Sequence, residues 1–437
     1  MRLSGAGRST RGLALSVVLL AAVGCRERAA RLIGVDAGAP PPPTRYEEPN
    51  QVHFSFTGPT SLTFSWRGSA RSVRIWSKDI PPRTVDAHDP TPKPISSPGV
   101  WREATVTGLS PDTEYGYEVG SSRFPVPAFI RTPLPTGSSN FGFVAVSGLG
   151  ASVDFPEVTP AHRLIKQIEP AFVLGLGDLT LGDVRTQTSV ERHFEDVMAW
   201  SGRAAYMPVW GEHEWQTPGR DDLRNYKGRF ALPNAQASPG APAAGCCGED
   251  WYWFDYGNVR FISYPEPYSE ETWPDWGRKA APIFEAAQAD PGLVFIVTMG
   301  HRAAYSSTES GGDPRLRKLL DGFGARFDKY VLNVSGHVHA YERTKPQSRV
   351  VHISTSTIAG ELEHAATPCS WRECKAPAFT AVRAIHHGFL RFSVQPRSIK
   401  AEAFCLASVA GRDDIRCVDG DIFDTVTIDA NTIASRR

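Results

Sequence analysis

Five apolar runs, each followed at once by a short glycine-bearing sequence, constrain the fold of this chain more than any other feature. The runs lack the alternation of polar and apolar residues that marks a half-exposed strand, so they predict strands buried on both faces of a sheet. Helical stretches are predicted between several of them, for example at residues 160–168 and 276–288. This pattern predicts an α/β domain, which we place at residues 139–430. The runs are residues 141–146, 172–176, 207–210, 294–299 and 330–334.

The sequences that follow these runs carry side chains typical of metal sites. Ligand sites of open α/β sheets form beyond the carboxyl ends of the strands, so these side chains are expected to converge at one edge. Carboxylates and imidazoles suit zinc, manganese or iron better than calcium. One histidine alone would more often be a hydrogen-bonded structural residue, but four of the five sequences carry Asp, Glu or His. They are Ser147-Gly148-Leu149-Gly150, Gly177-Asp178-Leu179-Thr180, Gly211-Glu212-His213-Glu214, Gly300-His301-Arg302 and Ser335-Gly336-His337-Val338-His339.

A β-rich segment precedes the α/β domain. Apolar residues alternate with polar ones around residues 52–56, 62–66 and 115–119, which predicts half-buried strands of a β-sandwich. The sequence Leu109-Ser110-Pro111-Asp112-Thr113-Glu114-Tyr115 resembles the corner motif of a fibronectin type III domain. We place this domain at residues 46–134; another kind of β-sandwich is the alternative.

The N-terminus has the pattern of an export signal. A basic leader is followed by an apolar run at residues 13–23, which is too short to span a bilayer. The run ends in Ala22-Val23-Gly24-Cys25, which resembles a bacterial lipoprotein cleavage box. We therefore interpret residues 1–25 as a lipoprotein signal peptide with Cys25 lipidated, and residues 26–45 as a proline-rich tether. An ordinary signal with a coincidental cysteine is the alternative.

Export has consequences for location and for cysteine chemistry. The chain is expected at the periplasmic or outer surface of a bacterium, touching the membrane through its lipid anchor alone. The oxidising compartment favours disulfides, and short loops make Cys369–Cys374 and Cys405–Cys417 the predicted pairs. The pairing of Cys246 and Cys247 is left open.

The charge balance does not indicate nucleic-acid binding, because Lys and Arg total 47, as do Asp and Glu.

The motifs resemble those of calcineurin-like metallophosphoesterases, specifically the purple acid phosphatase branch. Gly336-His337-Val338-His339-Ala340-Tyr341-Glu342-Arg343 is similar to the last motif of that branch, and Gly300-His301-Arg302 with Tyr305-Ser306-Ser307 is similar to its fourth. Residues 254–259 resemble its internal strand and residues 419–424 its closing strand. The resemblance covers residues 46–430. It implies a fibronectin type III-like β-sandwich followed by an α/β sandwich, with two metals about 3.5 Å apart.

The resemblance also implies a role for each matching residue. Asp178 would bridge both metals. His301 and His337 would bind the second metal, and His339 the first. His213 would act beside the leaving group or phosphate, as a catalytic proton donor or hydrogen-bond donor.

Three departures make the first and third metal motifs degenerate. The metal-binding Asp of the first motif is Gly148 here, with Ser147 the neighbouring possibility; the tyrosine ligand is Leu181; the asparagine ligand is Glu212. The first metal keeps only Asp178 and His339, too few protein ligands for a firm site. We therefore predict one divalent transition metal (Fe, Zn or Mn), held by Asp178, Glu212, His301 and His337. Asp154 and His364 are alternative substitute ligands for the first metal.

Two functions are consistent with this sequence. The first is a metal-dependent phosphoric-ester hydrolase, acid phosphatase-like, with an incomplete dinuclear site and small-molecule phosphoester substrates. The second is a catalytically inactive surface lipoprotein with the same fold, acting as a binding module. Four tryptophans could wall a substrate pocket or belong to the core: Trp210, Trp215, Trp251 and Trp253.

Overall fold

The structure, a computed structural model, contains a β-sandwich followed by a domain built on two larger sheets. It describes residues 49–94, 99–120, 128–155, 157–181, 187–215, 223–242, 248–363, 375–406 and 418–430. The predictions on the signal peptide, the tether, Cys25, Cys246, Cys247, His364, Cys369, Cys374 and Cys417 lie outside these residues.

The N-terminal domain is the predicted sandwich of two antiparallel sheets. The alternating apolar residues face inward, so that Phe64, Trp66 and Tyr117 are fully buried between the sheets. In the predicted corner motif, the backbone N–H of Ser110 donates to Oη of Tyr115 at 3.0 Å. The sheets have the strand orders β1-β2-β5 and β4-β3-β6-β7. The strands are β1 (Asn50–Gly58), β2 (Ser61–Arg67), β3 (Ser72–Trp76), β4 (Arg83–Asp86), β5 (Trp101–Val106), β6 (Glu114–Val119) and β7 (Ala128–Arg131).

The second domain confirms the predicted α/β sandwich. Its sheets have the orders β10-β9-β8-β18-β19-β20 and β11-β12-β13-β14-β16-β15-β17. The strands are β8 (Phe141–Val146), β9 (Phe172–Leu176), β10 (Ala205–Val209), β11 (Trp253–Tyr256), β12 (Val259–Ser263), β13 (Phe295–Gly300), β14 (Tyr330–Ser335), β15 (Tyr341–Thr344), β16 (Val351–Ser354), β17 (Thr380–Ala384), β18 (Gly388–Val394), β19 (Ser398–Cys405) and β20 (Ile422–Asp429).

Helices connect several of these strands. None of the helices in the described part of the chain is long and apolar enough to cross a membrane. The helices are α1 (Val158–Ile168), α2 (Gln187–Asp196), α3 (Met198–Ser201), α4 (Glu212–Trp215), α5 (Arg224–Lys227), α6 (Thr272–Ala289) and α7 (Pro314–Arg326).

The five apolar runs form parallel strands of the two sheets. Strands β8, β9 and β10 run parallel in the first sheet, and β12, β13, β14 and β16 run parallel in the second. Their carboxyl ends carry the predicted site sequences. One resemblance differs in detail: residues 254–259 are not a single strand but the turn of a hairpin, because β11 ends at Tyr256 and Gly257 (φ +57°) reverses the chain into β12.

Strand β1 of the sandwich packs against the α/β domain, and most of its residues are buried. The hydroxyl of Ser55 donates to the carbonyl of Ala231 at 2.6 Å. Nε2 of His53 lies 2.7 Å from the carbonyl oxygen of Arg229. Polar residues of β1 that an isolated sandwich would expose to water are therefore satisfied by the other domain.

Arg229 is the centre of this contact and is fully buried. Its guanidinium carbon lies 3.8 Å from the ring centroid of Trp101, in the sandwich, and 4.3 Å from that of Phe194, in the α/β domain. Its Nη1 atom donates to Oε1 of Gln51 at 2.7 Å. One cation is thus held between aromatic rings of both domains.

The predicted Cys405–Cys417 disulfide is only half within the described residues. Cys405 ends strand β19, is buried and takes part in a disulfide. Cys417 lies outside the described residues, so this pairing stays a prediction.

Candidate metal centre

Four strand ends bring the predicted ligands of the second metal together. Asp178 follows β9, Glu212 follows β10 as the first residue of α4, His301 follows β13 and His337 follows β14. Asp178 (φ +52°) and His337 (φ +68°) have left-handed backbone conformations. Such conformations are uncommon for residues other than glycine and cluster at functional sites, where the surrounding structure enforces them.

The ligand atoms of Glu212, His301 and His337 all lie within 4.8 Å of one another. Oε2 of Glu212 is 2.5 Å from Nε2 of His301, and Oε1 of Glu212 is 2.9 Å from Nδ1 of His337. Asp178 extends the group, since its Oδ2 atom is 3.2 Å from Nε2 of His301. Two carboxylates and two imidazoles therefore converge.

His301 is oriented by the backbone. Its Nδ1 atom donates to the carbonyl of Leu176 at 2.7 Å, because a carbonyl can only accept. In the neutral ring, the Nε2 lone pair then faces the carboxylates, which is the arrangement of a metal-binding histidine with its outer nitrogen hydrogen-bonded to the protein. Burial alone would lower the pKa of His301, but the charges of Asp178 and Glu212 raise it well above its usual value.

These residues fit a divalent transition metal. Oε2 of Glu212 and Nε2 of His301 are both buried, and neither makes a directed hydrogen bond within the described residues. The two atoms lie 2.5 Å from each other, and Oε2 of Glu212 lies 3.3 Å from Nη2 of Arg302, so a metal held by this carboxylate and imidazole would replace the contact between them. Burial raises the pKa of Glu212, but the contacts with His301 and His337 together outweigh burial, and the pKa lies below its usual value. The carboxylate is thus ionised for binding.

His213 lies at the mouth of the site. Its backbone N–H donates to Oδ1 of Asp178 at 3.0 Å, which anchors the start of α4 to the end of β9. Its ring is 40% exposed, and Nε2 lies 4.0 Å from Oδ2 of Asp178. A group arriving from solvent can therefore contact this imidazole.

At Gly148, where the resemblance places the missing metal-binding Asp, the structure leaves no room for a side chain. A Cβ atom on Gly148 (φ +52°) would overlap the hydroxyl of Thr357 and lie 3.2 Å from Cδ1 of Leu181. The backbone of residues 357–359 is hydrogen-bonded to that of residues 147 and 148, which holds Thr357 there. His339, the other predicted first-metal ligand, directs Nδ1 to the carbonyl of Glu361 at 2.5 Å. Among the described residues, the cluster that could hold a metal consists of Glu212, His301 and His337, and His339 does not belong to it.

Comparisons with known proteins identify the architecture. Residues 49–132 match the family described as "Purple acid Phosphatase, N-terminal domain". The structure of purple acid phosphatase PPD1 from yellow lupin (Lupinus luteus) superposes with a TM-score of 0.68 at 18% identity, covering 89% of this chain and 76% of the lupin chain. The chain has the two-domain fold of a purple acid phosphatase.

Two further relatives agree with this purple acid phosphatase fold. The structure of PhoD superposes with a TM-score of 0.59 at 14% identity, over 88% of this chain and 91% of that one. An acid phosphatase of Aspergillus ficuum is 25% identical over an alignment that covers 32% of this chain. That alignment spans only 28% of the length of the Aspergillus protein.

Within this purple acid phosphatase fold, Glu214 is a site residue to which the sequence assigned no role. Its buried carboxylate accepts hydrogen bonds from the backbone N–H groups of Gly211 (2.8 Å), Asp178 (2.8 Å) and Leu179 (2.9 Å). It thereby ties the turn after β9 to the turn after β10. Burial, and then the charge of Asp178, raise the pKa of Glu214 above its usual value, while two of these N–H donors oppose the rise. In the sequence, the one indication of a role for Glu214 is its place in the motif Gly211–Glu214 that follows the third apolar run.

Arg302 and Glu266 were also missed. Arg302 follows His301 directly, but its contacts join distant parts of the chain: Nε donates to Oε2 of the fully buried Glu266 at 3.1 Å. Burial raises the pKa of Glu266, while the charges of His301 and Arg302 oppose the rise. No periodicity marks Glu266, because its partner is 36 residues away.

The four tryptophans divide between core and site. Trp210 and Trp251 are buried core residues, and Trp253 packs its ring against the guanidinium of Arg260 at 4.5 Å. Trp215 is the one of the four that reaches the site, since its Nε1 atom donates to Oε2 of Glu266 at 3.3 Å.

Proposed function

We propose that the chain is a metal-dependent phosphoric-ester hydrolase that acts on small-molecule phosphoesters with one divalent transition metal. The observation that carries this proposal is the convergence of Glu212, His301 and His337 within 4.8 Å, in a phosphatase fold. Asp178, beside His301, completes the proposed ligand set. Two carboxylates just neutralise one divalent ion, so a single metal leaves the site without excess charge.

A bound metal of this kind polarises a phosphoryl oxygen and lowers the pKa of bound water. The chain contributes the rest. His301 is held by the carbonyl of Leu176, so its ring cannot turn away. Glu214 fixes the turn that carries Asp178. His213, whose side chain is 40% exposed, is placed to give a proton to the leaving oxygen or to hydrogen-bond the phosphate.

Hydrolysis is expected to be slow. The closed first site removes a second cation that would share the charge of the transition state, and preorganised charge of this kind is commonly worth about 3 kcal/mol, roughly a hundredfold in rate. The test is hydrolysis of 4-nitrophenyl phosphate and a phosphoester panel by metal-loaded protein. We expect weak turnover that His337→Ala abolishes and that His88→Ala, on an exposed residue of the sandwich, leaves unchanged.

The second candidate function is a binding module without catalysis. Leu181 beside Gly148 favours it, because an apolar side chain closes the place of a metal ligand. Protein that holds its metal and shows no turnover on the whole phosphoester panel would make this the better account.

We also propose that the chain is an exported bacterial lipoprotein anchored through Cys25, on the sequence pattern alone. Cys25→Ser is expected to move the protein from the membrane fraction to the soluble fraction. Continued membrane association of that variant would contradict the anchor.

A further inference from the structure

A pocket of about 230 Å³ opens beside the metal centre. Arg302, His337 and the segment at residues 310–315, which carries Asp313 and Arg315, line it. We propose that this pocket binds the phosphoryl group of the substrate through the guanidinium of Arg302. The proposal rests on the proposed function above and adds to it a second cationic contact for the substrate.

Arg302 is fixed at the border of the metal ligands by all three of its nitrogens. Nε donates to Oε2 of Glu266 at 3.1 Å, and Nη2 lies 3.3 Å from Oε2 of Glu212. Nη1 donates to Nε2 of His337 at 2.7 Å. The positive charge therefore lies directly beside the group formed by Glu212, His301 and His337.

The contact between Arg302 and His337 would have to break when a metal binds that histidine. A guanidinium only donates, so Nε2 of His337 must offer its lone pair and the ring proton must be on Nδ1, facing Glu212. A metal on Nδ1 would move that proton to Nε2, against the N–H of Arg302. A metal on Nε2 would take the lone pair itself. In either case Nη1 of Arg302 loses its partner and becomes available to the pocket.

Glu266 keeps Arg302 in place when that happens. It is fully buried, its Oε2 atom also accepts from Trp215, and its Oε1 atom has no hydrogen-bond partner within the described residues. Oε2 of Glu266 also lies 3.1 Å from Nη2 of Arg302, so Nε and Nη2 stay paired and Nη1 is the nitrogen that is released toward the pocket. Glu266 is in this account a positioning residue.

The chemistry of the guanidinium fits a phosphoryl group. The planar fork stays charged at every relevant pH, and its Nη1 atom can donate a charge-assisted hydrogen bond to a phosphate oxygen. Asp178 and Glu212 neutralise one divalent metal, so the pocket's own cations, Arg302 beside the metal ligands and Arg315 paired with the exposed Glu270, are left for the substrate. It would supply part of the charge that a second metal supplies in a dinuclear site.

The experiment is a calorimetric titration of metal-loaded protein with orthophosphate, with the metal content of every sample measured. Arg302→Met is expected to weaken phosphate binding by about 10- to 100-fold, as loss of a charge-assisted hydrogen bond does. Arg302→Lys, which keeps the charge without the fork, should lose less. Glu266→Gln should fall between wild type and Arg302→Met. Arg278→Met, on an exposed arginine of α6, is the control and should stay within about twofold of wild type.

Equal phosphate affinity in wild type and Arg302→Met, at equal metal content, would overturn the proposal. Tighter phosphate binding by Arg302→Met would also overturn the proposal, because the arginine side chain would then block the pocket. If both Arg302 variants misfold, Glu266→Gln decides, and an unchanged affinity there counts against the proposal. Failure of the proposed function looks different: wild type would bind phosphate through Arg302 and hydrolyse no phosphoester.

Discussion

Nε2 of His301 lies 2.5 Å from Oε2 of Glu212, and both atoms are buried without a directed hydrogen bond in the described part of the chain. A pair of this kind is costly unless a cation or a proton lies between the two groups. It connects the turn after β10 in one sheet with the turn after β13 in the other. The candidate metal centre therefore joins the two sheets, and Glu212 and His301 also have a structural role.

Glu212→Gln tests this pair. The amide removes a negative charge from the ligand group, so metal affinity is expected to fall by at least about 100-fold. Competition with a chelator of known affinity measures the change. Glu270→Gln, on a carboxylate that is 89% exposed, is the matched control and should bind the metal like wild type. Equal metal affinity in Glu212→Gln and wild type would show that Glu212 is not a ligand.

Gly148→Asp alone is expected to leave one metal per chain. The aspartate would have to adopt φ +52° and displace the hydroxyl of Thr357, so the free energy of unfolding should fall by about 1–3 kcal/mol. A second metal requires room and a further ligand, as in Gly148→Asp combined with Leu181→Tyr and Thr357→Gly. Elemental analysis and denaturant titration measure both effects. Two metal equivalents in the single variant would contradict the closed first site.

Buried neutral histidines are expected to make the fold sensitive to acid. Burial lowers the pKa of His352 to about 3, and burial lowers the pKa of His193 to about 3. An unfolded histidine takes up a proton below about pH 6.5, so the unfolded state then binds more protons than the folded state. Stability is complete above pH 6.5 and falls as the pH decreases toward 3, by about 1.4 kcal/mol per pH unit for each histidine.

His352→Phe isolates one of these contributions. Neither ring nitrogen of His352 has a hydrogen-bond partner within the described residues, and its ring lies 4.7 Å from that of Tyr305. Phenylalanine should keep the aromatic contact and raise stability at pH 7 by about 1 kcal/mol. It should also remove the loss of stability in acid that this one histidine causes. His352→Gln should remove the same loss but lower stability. Denaturant midpoints from pH 4 to pH 7 measure the stability of both variants. If stability depends on pH in both as it does in wild type, His352 is not a source of the acid sensitivity.

Arg229→Met tests the contact between the domains. It removes a buried cation from the rings of Trp101 and Phe194 and leaves Oε1 of Gln51 without its donor, so a loss of about 3 kcal/mol is expected. Arg326→Met is the matched control, because Arg326 also covers a ring but is 56% exposed, and it should lose less than about 0.5 kcal/mol. Thermal and denaturant unfolding measure both variants. Equal losses of stability in the two variants would show that the contact of Arg229 with the rings of Trp101 and Phe194, here called the aromatic clamp, contributes little.

Much of the metal centre was predictable because its residues follow uniform apolar strands. Where a parallel strand ends, the next residues must lie at the sheet edge, so Asp178, Glu212, His301 and His337 could be placed together without a structure. The sandwich was predictable for a similar reason, since alternation fixes which residues face inward.

The rest depends on contacts between distant positions. Nothing local shows that Glu266 will lie against Arg302, or that Thr357 will fill the space beside Gly148. The sequence predicted that ligands of the first metal are missing; it did not predict which side chains lie at those positions. Side-chain packing across the two sheets decides that, and periodicity carries no information about it.

The aromatic clamp around Arg229 also limits how the two domains of this protein can evolve. A sandwich acquired from another gene would have to bring a ring at the position of Trp101 and an amide at that of Gln51, or leave a buried cation uncovered. Fragments that begin at residue 139 would face the same defect and are expected to aggregate. The two domains should therefore be inherited, lost and engineered together, as one module rather than two interchangeable parts.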